Sequence, residues 1–201
     1  MKLVLATNNK GKVKELTTML QPLGFQVVNI GAYPGFQEVV EDGDTFTANA
    51  IKKAVAAAKF TGELALADDS GLEVDALGGA PGVHSARFAG EPKDDAANNR
   101  KLLELLAEVP EEKRTARFRC VIAIAEPDGK YHTVEGTCEG MILRELKGEG
   151  GFGYDPLFYV PEYQQTFGEL DAAKKNAISH RGKALQKARE ILNHLYANQE
   201  G

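Results

Sequence analysis

The sequence predicts an α/β fold built on a mixed β-sheet, and two stretches of the chain carry that prediction. Near the N-terminus, an apolar strand at Lys2–Ala6, a helical pattern over Lys10–Leu20 and a second strand at Phe25–Ile30 follow one another as a βαβ unit. Later, Ala116–Ala125 alternates as a strand and is followed by a Pro127–Gly129 turn, so antiparallel pairing is expected there. A sheet that contains both kinds of pairing is mixed rather than all-parallel.

The remaining elements are predicted from the same signals. Asp44 or Thr45 can cap an Ala-rich helix that runs to about Phe60. A brief strand at Leu64–Ala67 is expected to end in the sequence Asp-Asp-Ser-Gly. The later predicted elements are a helix capped by Asp94 or Asp95 and running to about Ala107, strands at Tyr131–Cys138, Glu139–Leu146 and Leu157–Val160, and a closing helix at Ser179–Tyr196.

Size, charge and cysteine usage exclude several classes of protein. The chain has 201 residues, 43% hydrophobic and 26% charged, which suits one domain, or two small lobes sharing a core, and excludes a disordered chain. A net charge of −5 does not suit the coating of nucleic acid, which needs a basic surface. We find no signal peptide and no stretch of about 20 apolar residues. Cys120 and Cys138 make no disulfide framework, so we expect a cytoplasmic protein with two buried thiols.

The loop between the first strand and the first helix is a candidate anion site. It joins the carboxyl end of a strand to the amino end of a helix, where backbone N–H groups and the helix dipole attract phosphate. Lys10 or Lys12 adds a full charge, and Thr7 and Asn9 add neutral donors. The spacing is not that of a Walker A loop. Capping of the helix by Asn8 or Asn9 explains the same residues equally well, and both roles can coexist.

Carboxylates form a second candidate group. Asp68 and Asp69 close an apolar strand, and an acidic loop lies earlier in the chain. The acidic residues of that loop are Glu38, Glu41, Asp42 and Asp44. Mg²⁺ is usually bound through one or two carboxylates together with substrate phosphates. Because neighbours on a strand point to opposite faces, only one of Asp68 and Asp69 should face such a site. The alternatives are a solvated surface, favoured for Glu38 and Asp42, and a simple turn at Asp-Asp-Ser-Gly.

Two later segments carry candidates for binding a ring. The segment Gly148–Gly153 spells G-x-G-x-x-G, but no helix follows it, so a dinucleotide site is excluded. What remains is a loop that presents Phe152 and Asp155, an aromatic ring that can stack and a carboxylate that can accept from a ring N–H. Basic residues around the start of the last helix, Arg181 among them, can bind phosphate or carbonyl oxygens. A helix cap at Ser179 with solvated basic residues is the alternative there.

Taken together, these motifs resemble the inosine triphosphate pyrophosphatase family, the dITP/XTP pyrophosphatases, from Leu3 to about Leu192. The matching motifs are Thr7 with Asn9 and Lys12, Asp68–Leu72, Gly78–Val83 with Ser85–Arg87, Gly151–Pro156, and Ser179–Gly182. The visible departure is Asn8, where many relatives carry glycine. Asparagine tolerates unusual backbone angles better than most residues, so we expect the loop to keep its shape.

The resemblance implies both a fold and an activity. The fold is an elongated, strongly curved mixed sheet flanked by helices, a single domain over residues 1–201 made of two lobes with a central cleft. The activity is hydrolysis of ITP, dITP, XTP and dXTP to the nucleoside monophosphate and pyrophosphate, which removes them from the nucleotide pool. A Mg²⁺ cofactor and a homodimer are also implied.

The resemblance further implies residue roles. Asp69 would activate the attacking water, and Glu41 and Asp69 would hold Mg²⁺. One carboxylate cannot easily be both a direct ligand and a free base, so the division of roles at Asp69 stays open. Phe152 would stack on the purine and Arg181 would donate to its 6-oxo group. The implied substrate-binding residues are Thr7, Asn8, Asn9, Lys10, Gly11, Lys12, Lys53, Ser70, Phe152, Gly153, Tyr154, Asp155, Lys175, His180 and Arg181.

Two other functions fit the same sequence. One is a sister nucleotide pyrophosphatase that acts on modified pyrimidine nucleotides. The other is a nucleotide-binding module without turnover, against which the intact Asp69 and Glu41 argue. For Lys53, the alternative to a site role is an ordinary surface lysine.

Overall fold

The fold is built on one seven-stranded mixed sheet, described here for residues 2–199 from a computed structural model. The strand order is β2-β1-β3-β4-β5-β6-β7. The strands are β1 (Lys2–Leu5), β2 (Gln26–Asn29), β3 (Ala65–Val74), β4 (Thr115–Ala125), β5 (Tyr131–Ile142), β6 (Phe158–Val160) and β7 (Gln165–Thr166). The α-helices are α1 (Lys10–Leu20), α2 (Phe46–Thr61), α3 (Asp95–Leu105), α4 (Ala172–Ile178) and α5 (His180–Gln199).

The described chain divides into two compact units. Unit 1 takes residues 2–69, 120–136 and 181–199, and unit 2 takes Ser70–Arg119 and Thr137–His180. The strands β3, β4 and β5 contribute residues to both units.

The predicted α/β class and mixed sheet are confirmed. β1 pairs in parallel with both β2 and β3, and α1 supplies the crossover of the βαβ unit. β6 pairs antiparallel with β5 and with β7. The turn between β4 and β5 is the expected hairpin, because the Glu126 N–H donates to the Lys130 carbonyl at 2.8 Å.

β3 corrects one prediction. The sequence suggested a brief strand at Leu64–Ala67 that ends in Asp-Asp-Ser-Gly, but one ten-residue strand runs through both aspartates to Val74. A buried carboxylate can lie inside a strand when cations pair with it, and Asp68 has such partners. The turn alternative for this segment is therefore wrong, and Asp69 occupies a strand position.

The C-terminal half differs from the prediction in two further places. The strands expected at Tyr131–Cys138 and Glu139–Leu146 are one strand, β5, because the alternation of buried and exposed residues continues to Ile142 without a turn. α4 was not predicted, since seven residues are too few to show helical periodicity. Ser179 follows α4 and its N–H donates to the Lys175 carbonyl at 2.8 Å, so it ends that helix.

Each unit has its own hydrophobic core. In unit 1, strands β1, β3 and β4 and helices α1 and α5 pack fully buried aliphatic side chains together. Each such side chain contributes roughly 1.5–3 kcal/mol to stability. They include Leu3, Leu5, Leu16, Leu66, Ile122 and Leu192. The core of unit 2 is more aromatic, with ring centroids 4.5 Å apart for Phe118 and Phe158 and 4.9 Å apart for Phe158 and Phe167. Among residues 2–199, no helix is both long and apolar enough to cross a membrane.

Candidate active site

The buried residue Asp68 binds cationic side chains from three helices of unit 1. The Nζ of Lys12, from α1, lies 3.2 Å from Asp68 Oδ2. The Nε and Nη2 of Arg181, from α5, each lie 3.3 Å from the same oxygen. The Nζ of Lys53, from α2, donates to the Asp68 backbone carbonyl at 2.6 Å. Asp68 therefore fixes the position of all three cationic heads.

The charge of Asp68 is maintained by those cations. Burial by itself raises the pKa of the Asp68 carboxyl, but the charges of Lys12, Arg181 and Lys53 outweigh burial and hold that pKa well below its ordinary value. The side chain is fully buried, so water screens these interactions little. A second carboxylate, Glu15, accepts from Arg181 Nη1 at 2.6 Å and balances the guanidinium charge on its other side.

The neighbouring carboxylate, Asp69, has a different environment. Burial raises its pKa to about 6, and the nearby charge of Glu41 adds to that effect while Lys53 and Lys12 oppose it. The nearby carboxamide of Asn49 also favours the ionised form. Within the described part of the chain, the buried Asp69 Oδ2 atom has no hydrogen-bond partner. A buried carboxylate with an unpartnered oxygen and a pKa close to neutrality is suited to binding a cation or accepting a proton.

Lys53 contacts both Asp68 on β3 and the acidic loop that carries Glu41. Its Nζ contacts Glu41 Oε1 at 2.8 Å as well as the Asp68 carbonyl. Burial lowers the pKa of Lys53, but Asp68, Glu41 and Asp69 more than compensate, so its pKa is raised overall. The side chain is buried, and the alternative of a surface lysine is wrong. In contrast, Asp42 is exposed and pairs only at the surface with Lys52, as expected for a solvated loop residue.

Three hydrogen bonds fix the predicted anion loop at the start of α1. Asn9 caps the helix, since its Oδ1 accepts from the Lys12 N–H at 3.1 Å, and Thr7 Oγ1 accepts from the Asn9 N–H at 3.2 Å. The amide of Asn29, at the end of β2, donates to the Thr7 carbonyl at 2.8 Å and fixes the loop from the neighbouring strand. Among residues 2–199 the non-glycine residue with positive φ is Gln164, so Asn8 needs no unusual backbone angle.

The carboxylates of unit 1 fit a magnesium ion. The chemistry of the donors is that of a hard cation, and Asp69 offers a buried oxygen with no hydrogen-bond partner among the described residues. Glu41 is close enough to Asp69 to influence its pKa. Across residues 2–199, no three His, Cys, Asp or Glu side chains are grouped as a metal cage. Two carboxylates leave positions for phosphate and water, which is how proteins usually bind Mg²⁺.

Unit 2 contains the second group of predicted residues. Asp155 is buried, and its Oδ2 accepts from the Phe152 N–H at 2.9 Å and from Lys175 Nζ at 2.6 Å. Lys175 Nζ lies 4.9 Å from the centroid of the Phe152 ring, a cation–π distance. Gly151 has φ +71°, and a Cβ there would lie 2.1 Å from Asp155 Oδ2, so this tight loop requires glycine.

The loop that carries Phe152 is also attached to α3. Asp95 Oδ2 accepts from the Gly153 N–H at 3.0 Å, and Asn99 Nδ2 donates to the Gly153 carbonyl at 3.0 Å. Tyr154 is buried and its hydroxyl donates to the Ser85 carbonyl at 2.6 Å, so it anchors the loop from the core.

His180 and Arg181 begin α5 in different surroundings. The His180 ring is buried and stacks on Phe118, with centroids 4.7 Å apart and planes 14° apart. The Arg181 guanidinium is engaged by Asp68 and Glu15 in unit 1. Replacing Arg181 would therefore disturb the buried ion pairs as well as any contact with a base.

Five residues that hold these side chains in place were not predicted from the sequence. They are Glu15, Asn29, Asn49, Asp95 and Asn99. Helical spacing could have pointed to some of them, since Glu15 is three residues after Lys12, and Asp95 and Asn99 are four residues apart. Nothing in the sequence singled out Asn29 or Asn49, because their partners are backbone groups of other segments.

Asp68→Asn should destabilise the fold. The substitution removes the anion that pairs with Lys12 and Arg181 and leaves these cations buried, which costs about 3–5 kcal/mol of unfolding free energy at pH 7. Because the pKa of Asp68 is depressed in the folded state, its contribution is present above about pH 4 and is lost below it. Urea unfolding in EDTA measures the effect, and a loss under 1 kcal/mol would contradict it.

Asp69→Asn should stabilise the fold at pH 7, in contrast to Asp68→Asn. The folded-state pKa of Asp69 is raised to about 6, so ionisation of this carboxyl reduces stability as pH rises through that value. The variant should therefore gain about 3 kcal/mol of unfolding free energy over the wild type at pH 7 in the absence of metal. The gain should shrink towards pH 4, where the wild-type carboxyl is protonated. A gain that does not depend on pH would show another cause.

A family model described as the Ham1 family matches residues 3–191. A Desulforamulus reducens protein named dITP/XTP pyrophosphatase is 79% identical over 200 residues, covering 100% of each chain. A Geobacter sulfurreducens protein of the same name is 55% identical over 184 residues, covering 92% of each.

Solved structures agree with these sequence matches. The Staphylococcus aureus Ham1 protein matches with a TM-score of 0.85 and 42% identity, covering 96% of this chain and 99% of that one. A HAM1 protein from Coxiella burnetii matches with a TM-score of 0.87 and 44% identity over the same shares. On its sequence and on its fold, this chain belongs to the Ham1 family.

Proposed function

We propose that this chain hydrolyses non-standard purine nucleoside triphosphates, namely ITP, dITP, XTP and dXTP, to the nucleoside monophosphate and pyrophosphate. Its role is then to remove these nucleotides from the cellular pool. The observation that carries the proposal is the pair Asp68 and Asp69. The buried Asp68 carboxylate pairs with Lys12 and Arg181, and its backbone carbonyl binds Lys53, whereas Asp69 has an unpartnered buried oxygen and a pKa of about 6. The names of the relatives from Desulforamulus reducens and Geobacter sulfurreducens support the same activity.

The triphosphate would bind at the start of α1. The first N–H groups of a helix have no acceptors within the helix, and the dipole favours negative charge at that end. Thr7 and Asn9 shape this loop, and Lys10, Gly11 and Lys12 form its helical part. Lys12 and Lys53 bring positive charge from the Asp68 cluster. Asn8 is exposed beside this loop and adds a polar carboxamide that can contact a phosphate oxygen.

Asp69 would orient the attacking water and hold its proton. A water molecule adds to phosphorus, the anhydride bond between the α and β phosphates breaks, and the proton is retained by a base. In the metal-free protein, Asp69 is ionised above about pH 6 and can accept hydrogen bonds at its unpartnered oxygen. Lys53 and Lys12 counter the negative charge that develops on the departing pyrophosphate.

Glu41 and Asp69 would hold Mg²⁺. When bound, the ion neutralises phosphate charge and polarises the phosphoryl oxygens. Lys53 Nζ pairs with Glu41 Oε1 and holds that carboxylate near the site.

The unit 2 group would bind the purine. Phe152 offers an aromatic face for stacking, and Asp155 and Lys175 hold the loop that presents it. Asp155, Gly153 and Tyr154 contribute through that loop, and Ser70 lies on β3 directly after Asp68 and Asp69. His180 is packed against Phe118, which fixes its ring plane.

Selection for a 6-oxo purine follows from donors near the base. Adenine carries an amino group at that position, and a buried N–H donor facing an amino group goes unpaired, which costs affinity. Arg181 and Lys175 are candidates for that donor. The homodimer and the cytoplasmic location stay predictions.

Pyrophosphate release from ITP, XTP, dITP, GTP, ATP and dTTP, with Mg²⁺ or with EDTA, tests the proposal. We expect strong release from the first three, abolished by EDTA. Asp69→Asn should fold and lower kcat by about 10³-fold. Release from dTTP instead would indicate a sister pyrophosphatase that acts on pyrimidine nucleotides. Binding without turnover would indicate a nucleotide-binding module, and full activity of Asp69→Asn would exclude the mechanism.

Phe152→Leu should raise KM for dITP by about tenfold, because stacking on an aromatic ring contributes roughly 1–3 kcal/mol per base. The change in kcat should be smaller, since Phe152 is remote from the phosphates in this proposal. Steady-state kinetics measure both, and Tyr163→Leu, at an exposed aromatic of the same unit, is the matched control. An unchanged KM would show that Phe152 does not contact the base.

A further inference from the structure

Side chains of α2 hold the acidic loop that carries Glu41. Lys52 Nζ donates to the Val40 carbonyl at 2.8 Å and pairs with Asp42 at 2.7 Å. Lys53 Nζ pairs with Glu41 at 2.8 Å. Both are long cationic side chains, and the Lys52 contacts are exposed. The third attachment, made by Asn49, has a different character.

Asn49 is a short, buried side chain that joins α2 to the acidic loop. Only 2% of the residue is exposed. Its Oδ1 accepts from the Gly43 N–H at 2.8 Å, and its Nδ2 donates to the Gly43 carbonyl at 3.4 Å. The same carboxamide lies close enough to the Asp69 carboxylate to lower its pKa. One side chain thus hydrogen-bonds the loop two residues after Glu41 and lies near Asp69 on β3.

The loop is fitted to this contact. A Cβ added at Gly43 would lie 2.6 Å from Asn49 Oδ1 and 3.0 Å from the Ala48 Cβ. The φ of Gly43 is not in the left-handed region, so the backbone alone does not require glycine there. The requirement comes from the closeness of the Asn49 carboxamide.

We propose that Asn49 is a positioning residue that fixes the Glu41 loop and the Asp69 carboxylate relative to each other, and so sets the affinity for the divalent cation. The proposal rests on the proposed function in one respect, that Glu41 and Asp69 bind the ion.

The two carboxylates come from different elements, a loop and β3, so nothing in local helix or strand geometry fixes their separation. Mg²⁺ accepts little distortion of its coordination, so a small displacement of one carboxylate weakens binding. Partners that orient metal ligands typically account for 10–100-fold in affinity when they are removed.

The experiment measures Mn²⁺ binding to the nucleotide-free protein by electron paramagnetic resonance of free Mn²⁺. Asn49→Ala should weaken binding by about tenfold. The matched control is Asn98→Ala. Asn98 is equally buried and makes the same pair of backbone contacts in unit 2, with the Ala89 N–H at 2.7 Å and the Ala86 carbonyl at 2.9 Å. It should lose similar thermal stability and bind Mn²⁺ as the wild type does.

A second variant approaches the contact from the loop. Gly43→Ala keeps Asn49 but pushes its carboxamide aside, so it should also weaken Mn²⁺ binding. If Asn49→Ala fails to fold, this variant tests the positioning role. Equal Mn²⁺ affinity in Gly43→Ala and the wild type, equal weakening in Asn98→Ala, or no Mn²⁺ binding by the wild type would each overturn the proposal.

The outcome is separable from that of the proposed function. Mn²⁺ binding is read without nucleotide, whereas the proposed function fails only if the wild type releases no pyrophosphate from dITP, ITP or XTP. In the active enzyme, Asn49→Ala should raise the Mg²⁺ concentration for half-maximal release by a similar factor and recover much of its kcat at high Mg²⁺. Reduced kcat at saturating Mg²⁺ with unchanged Mg²⁺ dependence would contradict a positioning role.

Discussion

The interaction on which the rest of unit 1 depends is the burial of one negative charge, the Asp68 carboxylate. A fully buried carboxylate is tolerated only when it is paired, and Asp68 is paired with Lys12 and Arg181, while Lys53 binds its carbonyl. These cations come from the first, the last and the Ala-rich helix. The same ion pairs therefore determine where the helices meet β3 and where three positive charges stand.

The alternation of a β-strand then determines what Asp69 can do. Because successive side chains point to opposite faces, Asp69 is adjacent to Asp68 in sequence and meets a different set of partners, Asn49 and the Glu41 loop. Lys12 and Lys53 act on Asp69 only at longer range, so burial dominates and its pKa is raised. Two identical residues side by side thus have opposite roles: one carries a permanent charge that supports the fold, and the other remains available for a metal ion or a proton.

Much of this could be predicted from the sequence, and the gaps have physical causes. Local patterns predict the βαβ unit, the capping of α1 by Asn9 and the hairpin between β4 and β5. The structure confirms all three. The length of β3 could not be predicted, because charged residues normally end a buried strand and the cations that permit Asp68 lie far away in the chain. Asn29 and Asn49 could not be predicted either, because their partners are backbone groups of loops, which no spacing rule reveals.

The most direct test of this account is carboxyl ¹³C NMR of the metal-free protein, with Asp68 and Asp69 assigned from the Asn variants and titrated from pH 8 to pH 3. The account predicts that Asp69 titrates with a midpoint near pH 6 and that Asp68 stays ionised down to the lowest pH at which the protein is folded. Both carboxyls titrating together near pH 4, the ordinary value for aspartate, would contradict it.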